Sequence, residues 1–190
     1  MSSDQAKEPY GFTPDGRTFL YSVVRAATLQ DIWRVEVDGH EPAVVLQTPF
    51  IDARPRISPD GRWLAYYSSE SGRPEIFVTS FPNRQGKWQV STAGGNFPRW
   101  RRDGREIFYL APDNSLMAVD VNSTGPTLEV GSARRLFELR ARQFPVAGQS
   151  GYAYDVSPDG HRILVNALLE EANEVPITVV ANWPTLLEPD

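Results

Sequence analysis

The chain has 190 residues, 41 % hydrophobic and 23 % charged, with a net charge of −5 and no cysteine. That is enough polypeptide for one core. The acidic balance speaks against a nucleic-acid partner, and the missing cysteines exclude disulfides and thiolate metal sites. No window holds the roughly 18 apolar residues of a membrane span, and MSSDQAKEPYG lacks the basic start and apolar stretch of a signal peptide. A soluble chain that does not itself enter a membrane is expected, with its compartment left open.

In chain order, residues 1–8 are polar and predict a disordered lead-in. A first unit over 9–47 opens on FTPDGRTFLY (12–21), adds a strand at Asp31–Val37, turns at Asp38-Gly39 and closes on Ala43–Gln47. The second unit, 49–92, carries ISPDGRWLAY (57–66), a strand at Glu75–Phe81, a Gln85-Gly86 turn and Lys87–Ser91. The third, 94–138, reads WRRDGREIFY (100–109), then Ser115–Val121 and Arg134–Glu138. An excursion over Leu139–Gly151 follows, and as an insertion in a repeat array it is a candidate partner-contact loop. The fourth unit, 151–183, reads VSPDGHRILV (156–165), a helix-like NALLEEAN within a long loop (166–173), and Ile177–Trp183. Residues 184–190 form a tail, so the last unit lacks a fourth strand and nothing is expected to follow it.

The four copies share one physical design. Asp15, Asp60, Asp103 and Asp159 each precede a glycine, at steps of 45, 43 and 56 residues. In Ser-Pro-Asp-Gly the proline presets φ at the first corner, and the glycine takes the left-handed conformation that closes a hairpin. Behind each corner come apolar pairs: Phe19/Leu20, Leu64/Ala65, Ile107/Phe108 and Ile163/Leu164. Continuous rather than alternating apolar runs suit strands buried on both faces. Four strands per unit of about 45 residues describe a blade. The expected fold is therefore all-β: a β-propeller of about four blades of four-stranded antiparallel sheets, the last incomplete.

The succession S-P-D-G, apolar strand, E-I-F or D-I-W, glycine turn and final strand resembles the WD-like repeat of TolB-type propellers over residues 9–183. The ending VPITVVANWPTLL is similar to propellers attached to bacterial serine/threonine kinases. The resemblance implies a scaffold that binds protein or peptide. It also implies a periplasmic or extracytoplasmic setting if the parent is membrane-anchored. Such propellers usually have six to eight blades, and four are written here. Three outcomes are open: a tight four-bladed ring, a fragment or half-propeller, and self-association through the end blades. The half-propeller is favoured, with a homodimer completing the ring. If roughly 500 Å² of apolar blade face stayed wet, the burial forgone would be about 12 kcal/mol.

Site chemistry is sparse. His40 and His161 flank turns and lack zinc spacing. Gly148-Gln149-Ser150-Gly151 lacks the nucleophile-elbow spacing, and kinase signatures are missing. No cofactor is expected, and the chain reads as non-catalytic. The candidate contact residues are Arg54, Arg56, Arg99 and Arg101, which period-two alternation places on the innermost strands, opposite Pro55 and Trp100. Two arginine pairs at a channel mouth suit a carboxylate or phosphate. Salt bridges to Asp52, Glu106 or Asp155 are the alternative use. The leading function is a non-catalytic module for protein or peptide interaction, as the C-terminal portion of a larger sensor or signalling protein. The alternative is the substrate-gating propeller of a prolyl-oligopeptidase-type hydrolase.

Overall fold

The computed structural model describes residues 5–25, 29–39, 41–139 and 153–166, and the backbone of 178–181. The expected helix-like stretch at 167–173, most of the 139–151 excursion and the tail lie outside these residues. Among the described residues fifteen strands form four antiparallel sheets in strict chain order. The first holds β1 (Lys7–Phe12), β2 (Thr18–Arg25), β3 (Leu29–Glu36) and β4 (Ala43–Leu46). The second holds β5 (Asp52–Ile57), β6 (Trp63–Ser68), β7 (Glu75–Ser80) and β8 (Lys87–Gln89). The third holds β9 (Asn96–Trp100), β10 (Glu106–Leu110), β11 (Ser115–Asn122) and β12 (Glu129–Glu138). The fourth has three strands among the described residues: β13 (Tyr154–Val156), β14 (Arg162–Val165) and β15 (Thr178–Ala181).

Each Asp-Gly pair is the hairpin joining the first two strands of a blade, and the glycines sit at φ between 71° and 77°. The aspartates cap their own turns. Asp15, Asp60, Asp103 and Asp159 accept the backbone N–H two residues on, at 3.1, 3.2, 3.0 and 2.9 Å. In three corners a hydroxyl completes the lock. Thr13, Ser58 and Ser157 donate to the aspartate and accept the N–H of Thr18, Trp63 or Arg162 at 2.9–3.0 Å. In the third corner Arg101 does the capping. The Thr13 and Ser157 hydroxyls hold the Asp15 and Asp159 carboxyls below the usual range.

The apolar pair behind each corner divides between two neighbours. Leu64, Tyr66 and Phe77 of the second blade pack with Leu20 and Ile32 of the first. Ile107 and Tyr109 of the third pack with Ala65 and Val78 of the second. Ile163 and Val165 of the fourth pack with Phe108 and Ala118 of the third. The first residue of each pair therefore faces the preceding blade, and the second faces the following one. That is why the strands are apolar on both sides. The corners follow the same succession: a Cβ on Gly104 would lie 3.8 Å from Pro59 of the preceding corner, and one on Gly160 2.7 Å from the Arg101 side chain. Blades stack in chain order as an arc.

Several strand bounds differ from expectation, and three of the differences have a visible cause. β1 begins at Lys7, because Glu8 is buried and its Oε2 accepts hydrogen bonds from Tyr10 Oη and Gln30 Nε2. Polarity there signals an internal network rather than loose chain. β12 starts at Glu129, five residues before the expected Arg134, because backbone pairing with β11 extends along an exposed edge. β8 stops at Gln89, where Ser91 turns inward so that its Oγ accepts the N–H of Ile76 and donates to Glu75.

Candidate functional site

The innermost strands β1, β5, β9 and β13 lie side by side, and the four arginines sit on two of them or at their ends. Strict alternation does not hold. β5 bulges between Ala53 and Arg56, and Arg54 has φ 56°. Phe97, in the same column of the next blade, has φ 56° beside its own bulge. A bulge with a left-handed residue re-aims the side chains around it. No glycine or Asn-Gly pair marks it in the sequence.

The arginines then part company. Arg54 is half-buried, with its guanidinium carbon 4.0 Å from the centre of the Phe97 ring on the neighbouring blade. Arg56 reaches the other way: its Nη1 donates to Tyr10 O at 2.6 Å and Pro55 O at 3.1 Å, and its guanidinium lies over the Tyr10 ring. Burial and the Glu8 hydrogen bond push the Tyr10 phenol up to about 12, so Arg56 meets a neutral ring. Trp100 packs between blades, as its position opposite the arginines implies, and its Nε1 donates to Arg56 O at 3.0 Å.

Arg99 is buried. Its Nε lies 3.2 Å from Asp155 Oδ1, its Nη1 donates to Pro98 O, and its guanidinium sits 5.8 Å from the Tyr154 ring. Tyr154 in turn donates its hydroxyl to Phe97 O at 2.8 Å. Arg101 points to its own corner, holding Asp103 at 2.8 and 2.9 Å and Glu106 at 3.0 Å. Arg101 pulls the Asp103 carboxyl down. Burial pushes Glu106 up despite Arg134 and Arg101 beside it. Arg54, Arg56 and Arg99 thus bridge successive blades, whereas Arg101 braces a turn.

Arg54 differs from Arg99 and Arg101 in one respect. Among the described residues no carboxylate lies within ion-pair distance of it, and a ring face orients the guanidinium without neutralising it. Elsewhere, Gly16, Arg17, Arg34, Glu36, Asp38 and Glu41 line an open groove of about 820 Å³ on the first blade. Its mixed charge sets no preference for an ion. Sequence reasoning had no signal for this groove, because its residues come from two separate turns and a strand end.

No family model matches the chain. The Tol-Pal system protein TolB of Syntrophus aciditrophicus is 37 % identical over 71 residues, which is 37 % of this chain and 16 % of that protein. The crystal structure of TolB from Acinetobacter baumannii superposes with a TM-score of 0.70 at 17 % identity, covering 95 % of this chain and 42 % of that one. The fold is a β-propeller, like that of these proteins. A puromycin-hydrolyzing peptidase of Mycobacterium tuberculosis also superposes, with a TM-score of 0.62 at 18 % identity, over 85 % of this chain and 28 % of that one. The chain spans less than half the length of these relatives.

Proposed function

We propose that this arc of blades is a non-catalytic module that binds a protein or peptide, and that Arg54 supplies the central polar contact. The observation carrying the reading is that guanidinium: half-exposed, stacked on Phe97, and without a carboxylate in ion-pair range among the described residues. A pre-oriented cation of this kind suits a carboxylate on an incoming chain. Arg56 extends the contact toward the first blade. Arg99 and Arg101 hold the platform's shape from behind. Likeness to TolB over nearly the whole arc supports a scaffold role. The partial coverage of its relatives supports a place within a larger protein, which we read as a sensor or signalling protein. The VPITVVANWPTLL ending adds a bacterial serine/threonine kinase as a candidate parent. If that parent is membrane-anchored the setting is outside the cytoplasm, and a second copy of the chain completes the ring.

Peptide-display panning tests this. The wild-type chain enriches Asp- and Glu-rich or carboxylate-terminated sequences, and Arg54→Ala binds the enriched peptides about tenfold to a hundredfold more weakly, as for a lost charge-assisted hydrogen bond of about 1.5–3 kcal/mol. Equal binding by a folded Arg54→Ala variant refutes the role. The alternative, a gating propeller of a prolyl-oligopeptidase-type hydrolase, draws support from the superposition on the peptidase. An adjoining in-phase frame encoding a hydrolase favours it, and one encoding a kinase favours the first reading.

A further inference from the structure

Among the described residues six large hydrophobic side chains are exposed, and they are unevenly placed. Phe12, Leu29, Val37 and Val44 belong to the first blade, Leu164 to the fourth, and Phe50 to the link after the first. The second and third blades contribute none. Exposure is concentrated at the two ends of the arc.

The repeat says what those ends are. On the first blade, Phe12 pairs across strands with Phe19, and Tyr21 with Trp33 and then Val44. Residues directly opposite in an antiparallel pair share a face, so these form one surface. Ring stacking ties it together, with Phe12 and Phe19 at 4.9 Å and Phe19 and Tyr21 at 6.5 Å. The same columns in the second blade are Ile57, Leu64, Tyr66 and Phe77, all packed against the first blade. This surface is therefore the preceding-blade face of the first blade; among the described residues no blade lies against it, and Phe12 and Val44 on it are exposed while Tyr21 is buried. At the far end, Leu164 is 42 % exposed, whereas Leu20, Ala65 and Phe108 in its column are 3 %, 0 % and 0 % exposed. It marks the following-blade face of the fourth blade, against which no further blade lies among the described residues.

The two faces are opposite halves of one contact that the chain already makes three times internally. The geometry points to head-to-tail association with a second copy, the fourth blade of one copy packing on the first blade of its partner. A two-fold axis along the central channel, perpendicular to the direction of stacking, covers both ends at once. This is a heterologous contact that closes into a ring, whereas a rotation that failed to close would give filaments. Continuity with the internal interfaces selects another copy of the chain over an unrelated protein. The inference rests on the second-copy element of the proposed function and not on Arg54, so failed peptide capture and failed pairing are separate results.

Light scattering on the full chain tests it, with a mass of two copies expected. Phe12→Arg and Leu164→Arg alter exposed side chains at opposite ends, and each alone leaves no intact contact in its own pair. Both are expected to be monomeric with unchanged circular dichroism. Mixed, they recover one intact contact, between the first blade of the Leu164→Arg copy and the fourth blade of the Phe12→Arg copy. Tagged Leu164→Arg therefore retains untagged Phe12→Arg but not untagged Leu164→Arg. Should Phe12→Arg misfold, Val44→Arg replaces it on the same face. A monomeric wild-type chain up to its solubility limit overturns the proposal. So does a Leu164→Arg variant that stays dimeric while Phe12→Arg falls apart, which would mean first blades pair with each other.

Discussion

Replacing Ser58 by alanine isolates the hydroxyl that locks a corner. Ser58 is fully buried; its Oγ accepts the Trp63 N–H at 2.9 Å and donates to Asp60 Oδ1 at 2.5 Å. The variant loses a hydrogen bond to a charged acceptor, about 1.5–3 kcal/mol, and leaves the buried Trp63 N–H without that acceptor. The two losses share one site and overlap, so a total of about 2–3 kcal/mol is expected by urea unfolding. The matching Ser157→Ala change should cost less, because that corner is more exposed and water replaces the lost partner. A pH dependence follows. Burial raises the Asp60 carboxyl, but Ser58 and Arg62 outweigh it and hold the group below the ordinary range. A carboxyl lowered by folding contributes stability above its unfolded value and loses it as pH falls through the folded one. The deficit of Ser58→Ala is therefore largest near neutrality and shrinks in acid. A cost below about 0.5 kcal/mol, the size of an ordinary surface substitution, or a deficit that grows in acid, would refute the reasoning.

Other outcomes follow from the same packing. Leu64→Ala, at a fully buried inter-blade position, should lose about 2–5 kcal/mol in urea titration, while Leu164→Ala in the neighbouring column should lose far less. Asp52 is held above its ordinary value by burial, with the Glu70 and Asp31 carboxylates adding to it against hydrogen bonds from Thr48 and Ser68. A carboxyl raised by folding favours the fold below its unfolded value, and that contribution fades as pH rises through the folded one. Asp52→Asn should therefore match or exceed the wild type in urea at neutral pH and flatten the decline between the unfolded and the folded value. A steeper decline would contradict it. The Arg54→Ala and paired Phe12→Arg and Leu164→Arg experiments complete the set.

What the sequence disclosed, and what it hid, divides along the range of the forces involved. The corners were legible because turn chemistry is local: Pro59, Asp60 and Gly61 act within four residues. The two-faced burial of Leu64 and Ala65 was legible because it repeats at a fixed column in four copies. The bulge at Arg54 was not, since a left-handed arginine carries no compositional mark and is held by Phe97, more than forty residues away. Glu8 looked like part of a polar lead-in because its partner Gln30 becomes a neighbour only once β1 pairs with β2 and β2 with β3. The arginines were found, but which of them meet carboxylates is a tertiary fact. Asp155 lies on another blade from Arg99, whereas Arg101 needs only its own corner.

The claim beneath all of this is that the four Asp-Gly corners occupy successive equivalent positions along one arc. With no native cysteine to interfere, spin labels can be placed pairwise through Arg17→Cys, Arg62→Cys, Arg105→Cys and His161→Cys, each directly after a corner glycine. Pulsed dipolar distances should show three near-equal steps between consecutive corners and longer separations between non-consecutive ones. Unequal steps, or a closer approach of non-consecutive corners, would contradict the stacked arc.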